Sequence, residues 1–177
     1  MCEKIRDKRN VAPQRKTKNA EQALAALMRY AAKAERSSGD AMRLMRRWEV
    51  PENERGKVLA RLVEMRFIDD NRYAVAYVRE KSRLSGWGVH KIRAGLRAKG
   101  IDARIIEEAL TQLPDKEAGN ERLRELLQRK LKGMKGGTPY EVKGKLLRFG
   151  LSRGYDYGDV TDVIDTVMQG VSDREDD

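Results

Sequence analysis

One helical pattern occurs three times along this chain, and few folds accommodate it. In the middle copy Ile92 and Leu96 stand four residues apart, and the chain passes through Arg97, Lys99 and Gly100 to Ile101, then to Ala109 and Leu110. In the first copy Ala41 and Met45 lead through Arg46, Trp48 and Glu49 to Val50, then to Val58 and Leu59, with Pro51 suited to a first helical turn. In the third, Val142 and Leu146 lead through Arg148, Phe149 and Gly150 to Leu151, then to Val163 and Ile164 after a longer connection from Gly154 to Gly158. Apolar residues at i and i+4 share one helix face, and a glycine just past the last of them suits a left-handed stop. Each copy therefore reads as a short helix, a stop and a second helix. A longer helix in front of each, over 20 to 35, 70 to 84 and 115 to 130, completes a three-helix unit. No run alternates over strand length, so the expected fold is all-α: three tandem three-helix, helix-turn-helix-like modules.

The most informative stretch runs from Phe67 to Ile101. Asp69 or Asp70 can cap a helix whose apolar side carries Tyr73, Tyr77 and Val78, with Phe67 or Ile68 placed to staple its first turn. Gly86 and Gly88 flank Trp87, so the backbone can turn there while the indole closes over what packs behind it. Val89, Ile92 and Leu96 then form the apolar stripe of a short basic helix that ends at Gly100. Asp102 caps the next helix, whose core side is Ile105, Ile106, Ala109, Leu110 and Leu113.

The expected organisation is a disordered basic arm over 1–18, modules over 19–66, 67–114 and 115–170, and an acidic tail over 171–177. Aromatic residues make up 6% of the chain and charged residues 37%, a balance that fits small helical units with a large wet surface. The net charge of +10 favours acidic partners, nucleic acid or a nucleoprotein first. The single cysteine, Cys2, can form no internal disulfide, which fits a reducing cytoplasm. No apolar run is long enough to span a bilayer, so no membrane association is expected.

Catalysis finds little support. His90 is the one histidine and has no companion at a spacing that would make a nucleophile or metal set, and the glycines from Gly136 to Gly144 lack the spacing of a phosphate loop. The remaining signal is a basic strip. It comprises Arg43, Arg46 and Arg47 in the first module; Arg79, Lys81, Arg83, Lys91, Arg93 and Arg97 in the second; and Lys143, Lys145 and Arg148 in the third. Recurrence of cations on comparable helices suits a polyanion or an acidic groove. Trp48, Trp87 and Phe149 are core-closing residues in the simplest reading, with Trp87 the candidate for stacking on exposed bases.

The segment from Phe67 through Asp69-Asp70 and Tyr73, with Gly86, Gly88, Ile92-Arg93, Leu96 and Lys99-Gly100-Ile101, resembles the RecX family, regulators of the bacterial RecA recombinase. Arg36-Ser37-Ser38-Gly39-Asp40 looks like that family's way into its first repeat, with Asp40 in place of the usual glutamate and Arg66 in place of a glycine. The resemblance implies a curved, elongated chain that lies in the groove of the RecA–single-stranded DNA filament. It implies no enzyme activity and no cofactor, inhibition of strand exchange, and a role in recombination, repair and the SOS response. The expected partners are the filament and single- or double-stranded DNA, met by a monomer. The rival expectation is a stand-alone helix-turn-helix-like DNA-binding protein.

Overall fold

The computed structural model describes residues 17–175, with side chains as far as residue 169. Residues 1–16 of the expected basic arm, Cys2 included, and residues 176–177 of the expected acidic tail lie outside it. The described residues form helices and no strands. In order these are α1 (Ala20–Ala31), α2 (Ser38–Arg47), α3 (Glu52–Glu64), α4 (Asp70–Arg83), α5 (Val89–Ala98), α6 (Ala103–Leu110), α7 (Lys116–Lys132), α8 (Pro139–Ser152) and α9 (Tyr157–Glu175). The main helix packing is confined to successive triplets, α1 to α3, α4 to α6 and α7 to α9.

Short polar side chains start most of these helices, by accepting from amides that have no partner inside the helix. Asn19 and Thr138 form reciprocal capping boxes with Gln22 and Glu141. Asp102 accepts from Arg104 N at 2.8 Å and Asp115 from Ala118 N at 2.9 Å. At α4 the cap is Asp69, which accepts from Arg72 N at 3.0 Å. Its neighbour Asp70 reaches out of its own triplet to accept from Ser38 N at 2.8 Å, at the head of α2.

Four helices end in the same way. Glu49, Arg66, Gly100 and Gly154 take φ of 56°, 57°, 76° and 86°. The following N–H turns back to a carbonyl: Val50 to Met45, Phe67 to Leu62, Ile101 to Leu96 and Tyr155 to Gly150. The third copy thus stops one turn later than its sequence suggests, at Gly154 instead of Gly150. Gly150 is buried inside α8 because Val160 of α9 presses on it, and a Cβ there would lie 2.7 Å from a Val160 methyl. Aligned on these stops, Gly150 matches Leu96 and Met45, and Leu146 matches Ile92 and Ala41.

Each triplet closes its own core. Leu27, Met45 and Leu62 centre the first, Ile92, Leu96 and Ile106 the second, and Leu123, Leu127, Leu146 and Ile164 the third. Full burial of such side chains stabilises by about 1.5–3 kcal/mol each. Phe67 and Ile68 pack on the first core, not on α4, because the turn at Arg66 folds them back over α3.

The triplets meet end to end. The first turn of α5 sits on the last carbonyls of α8: Gly88 N donates to Arg153 O at 2.8 Å, His90 N to Gly154 O at 3.1 Å, and Lys91 Nζ to Ser152 O at 2.9 Å. The first turn of α2 sits likewise on the end of α5. The fully buried Ser37 donates to Lys99 O at 3.1 Å and accepts from Asp40 N at 3.1 Å, while Arg43 donates to Ala98 O at 3.1 Å. Lys99 Nζ spans both Asp40 oxygens at 3.2 and 3.3 Å, Arg43 pairs with the same carboxylate, and Arg72 pairs with Glu35 at 2.6 Å. Burial pushes the Asp40 carboxyl up, but the hydrogen bonds and charges of Arg43 and Lys99 outweigh it and hold the group below its ordinary value.

Two outcomes are expected. Arg66→Gly removes the strain of a left-handed non-glycine residue at an exposed site, so urea unfolding should show a gain of up to about 1 kcal/mol. A carboxyl held below its unfolded value contributes stability above the ordinary carboxylate range and loses it as pH falls through its folded value. The deficit of Asp40→Asn relative to the parent protein should therefore be steady above about pH 5 and shrink below about pH 4, as read by urea unfolding across that range.

Candidate nucleic-acid interface

The basic strip divides into cations with partners inside the fold and cations turned to solvent. Arg93 of α5 grips Glu107 of α6 through two hydrogen bonds of 2.9 and 3.0 Å. That contact holds the Arg93 guanidinium above and the Glu107 carboxyl below their ordinary values. Lys143 pairs with Asp165 at 2.6 Å, Arg79 donates to Gln112, and Arg43 and Lys91 cap neighbouring helices. Lys81 pairs with Glu80. By contrast Arg46, Arg47, Arg83, Arg97, Lys145 and Arg148 are exposed, and their side chains make no hydrogen bond or ion pair to a described residue.

Aligning the modules on their helix ends sharpens which of these correspond. Arg97 stands where Arg46 does, one residue past the buried Leu96 and Met45. Arg148 stands where Arg43 does. In α8 the position of Arg46 and Arg97 belongs to Leu151, which is 40% exposed. One cationic position, Arg46 and Arg97, is therefore shared by the first two modules, and the nearest exposed cation of the third, Arg148, lies one turn earlier. The late stop of α8 causes that displacement.

The aromatic candidates are packed beneath cations. Trp87 is half-buried, with its edge toward Tyr77 at 6.5 Å, and Lys91 and Lys81 lie 4.8 and 5.5 Å from its ring centre. Lys18 lies over Trp48, and Arg153 and Lys130 lie over Phe149. Cations in this position favour an aromatic face that is closed over a core, although they also line the route by which an acidic ligand would approach. Tyr73, which stacks beside Tyr77, has its phenol pushed up to about 12, by burial first and then by the Asp40 charge.

His90 is exposed, and its Nε2 stands 2.8 Å from Asp156 Oδ1 across the α5–α8 junction. Among the described residues no group of three or more His, Cys, Asp or Glu could hold a metal ion. No described helix is long and apolar enough to cross a membrane.

The sequence reading missed the junction residues. Ser37, Gly39 and Gly154 carry no charge and no apolar bulk, so neither charge pattern nor periodicity marks them. Their signals are position, since Gly39 and Gly88 both fall at the head of a repeated short helix, and the family resemblance, which takes in Ser37, Gly39 and Gly88 without giving them a role.

Known proteins share this construction. Residues 69–110 match the family model of the second three-helix domain of RecX, and residues 117–164 that of the third. A regulatory protein RecX of Streptomyces coelicolor is 32% identical over 138 residues, covering 76% of this chain and 73% of that protein. One from Clostridium botulinum strain Alaska E43 is 36% identical over 114 residues, covering 63% of this chain and 52% of that protein. The chain spans about half the length of the clostridial and Bacillus relatives that it matches. The crystal structure of RecX from Lactobacillus salivarius superposes with a TM-score of 0.69 at 24% identity, over 86% of this chain and 96% of that one. A second RecX crystal structure gives 0.74 at 23% identity, over 85% and 73%. With two of its modules matched by the family's own domains, and a relative above 30% identity covered over most of its length, this chain belongs to the RecX family.

Proposed function

We propose that this chain is a non-enzymatic modulator, mainly an inhibitor, of the RecA recombinase. In this reading it lies in the groove of the RecA–single-stranded DNA filament in the cytoplasm and so regulates recombination, DNA repair and the SOS response. The observation that carries the reading is the set of exposed, unpaired cations on α2, α5 and α8, helices that are joined end to end across the modules. A row of fixed positive charge on successive modules suits a long, regular anionic ligand, where each neutralised phosphate or carboxylate adds affinity and salt dependence. DNA, single- or double-stranded, is a contact within the same reading, and the protein acts as a monomer.

The rival reading, a stand-alone helix-turn-helix-like DNA-binding protein, fits less well. A recognition helix meets base edges with its N-terminal residues. In α2 and α5 those residues are engaged by the neighbouring module, and the exposed cations lie toward the other end. The third helices of the second and third modules are no better suited, since α9 carries Asp159, Asp162 and Asp165 and α6 carries Glu107 and Glu108.

The test is ATP turnover by the host RecA on single-stranded DNA, with and without this protein. Inhibition is expected at sub-stoichiometric to stoichiometric ratios. Arg46→Glu with Arg97→Glu should weaken it and lower the salt slope of binding by about one per lost contact, with helix content unchanged. Ile92→Ala, in contrast, should cost about 2–5 kcal/mol of stability because its site is fully buried. Unchanged ATP turnover together with tight, sequence-selective duplex binding would establish the rival.

A further inference from the structure

Three glycines sit where one module touches the next. A Cβ on Gly39 would lie 2.0 Å from the Lys99 carbonyl oxygen, one on Gly88 2.3 Å from the Gly154 carbonyl oxygen, and one on Gly154 2.4 Å from the Lys91 amide nitrogen. Each obstacle is backbone, so relief requires the modules themselves to move apart. Gly88 has φ of −80°, a conformation open to any residue, so close approach is what excludes a side chain there. Ser37 completes the set, with its hydroxyl buried between α2 and the last carbonyl of α5. Gly56 and Gly119, away from the junctions, are permissive by contrast: a Cβ on either would meet nothing within 4 Å.

We propose that Ser37, Gly39, Gly88 and Gly154 are positioning residues that hold α8, α5 and α2 in one register, so that the exposed cations of the three modules meet the ligand as a single array. This rests on the filament reading given above. None of the four is a strong ligand, and all are buried or half-buried at the junctions. Their effect is exerted through Arg46, Arg97 and Arg148. Sites held at a fixed spacing convert later contacts into intramolecular ones, whereas sites on loose modules must be ordered at each encounter. Register is thus a source of affinity separate from charge.

Gly39→Val and Gly88→Val test this, with Gly56→Val as the control. Spin-label pairs placed at Lys57 and Glu108, and at Glu108 and Asp162, in a Cys2→Ser background, report the two junctions by electron–electron distance measurement. The parent and Gly56→Val should give single narrow distances. Gly39→Val should broaden the first pair and Gly88→Val the second, with helix content unchanged. Both junction variants should raise the half-inhibitory concentration for RecA ATP turnover by about tenfold or more, within the range that linked sites contribute. Broad distances in the variants with inhibition unchanged would overturn the proposal, and so would narrow distances in all four proteins. Should the parent protein itself fail to inhibit RecA, the filament reading fails, and a register role in that binding fails with it. The distance data would still show whether the junctions are rigid.

Discussion

The contact on which the arrangement of modules depends is the seating of one helix's first turn on another helix's last carbonyls. A helix start presents amides without partners, and a helix end presents carbonyls without partners. Here the two needs are met against each other: Gly88 N and His90 N close on Arg153 O and Gly154 O. The partial charges at the two ends also have opposite sign, so the juxtaposition is favourable before any side chain is counted. Three small cores, none large enough to organise its neighbours, acquire a defined relation through backbone contacts of this kind.

The two junctions use different chemistry to the same end. Between α8 and α5 the key bonds are backbone to backbone, supported by Arg153 donating to Ser85 O and by His90 beside Asp156. Between α5 and α2 the work falls to side chains: Ser37, the Asp40 carboxylate gripped by Lys99 and Arg43, and the Glu35–Arg72 pair. Exposed ion pairs are screened by salt and contribute little singly. The first module is accordingly tied more through charged groups than the other two are to each other, and of its pairs Glu35–Arg72 is the more exposed.

Much of this was legible in the sequence, for a physical reason. Helical periodicity and caps are local, so the i, i+4 pairs and the caps at Asp69 and Asp102 place the helix starts, although α1 ends at Ala31, short of the expected 35. The stop of α8 was misplaced because Gly150 has two readings, a left-handed turn or a close packing site, and only the approach of Val160 decides between them. The Asp69-Asp70 pair looked like one cap with two candidates and proves to be two caps serving helices in different modules. Long-range pairing was invisible. Arg93 looks like Arg97 in sequence, but Glu107 claims one and leaves the other exposed. The same limit hid Ser37, whose importance lies in what buries it.

The outer ends of this series are finished differently from its joints. At the end of α2, Trp48 O accepts from Lys18 N at 2.9 Å, and the lysine side chain lies over the indole. At the head of α8, Thr138 and Glu141 satisfy the leading amides reciprocally, and Pro139 follows as the first helical residue. Tyr140, in the next position, is 87% exposed, where the corresponding part of α2 carries the small Gly39. Each terminus is thus sealed by its own chain, and neither repeats the bare, glycine-lined seat found inside. Between these two finished ends α2, α5 and α8 act together as a ruler, with about 50 Å of helix path along which exposed charge is graduated.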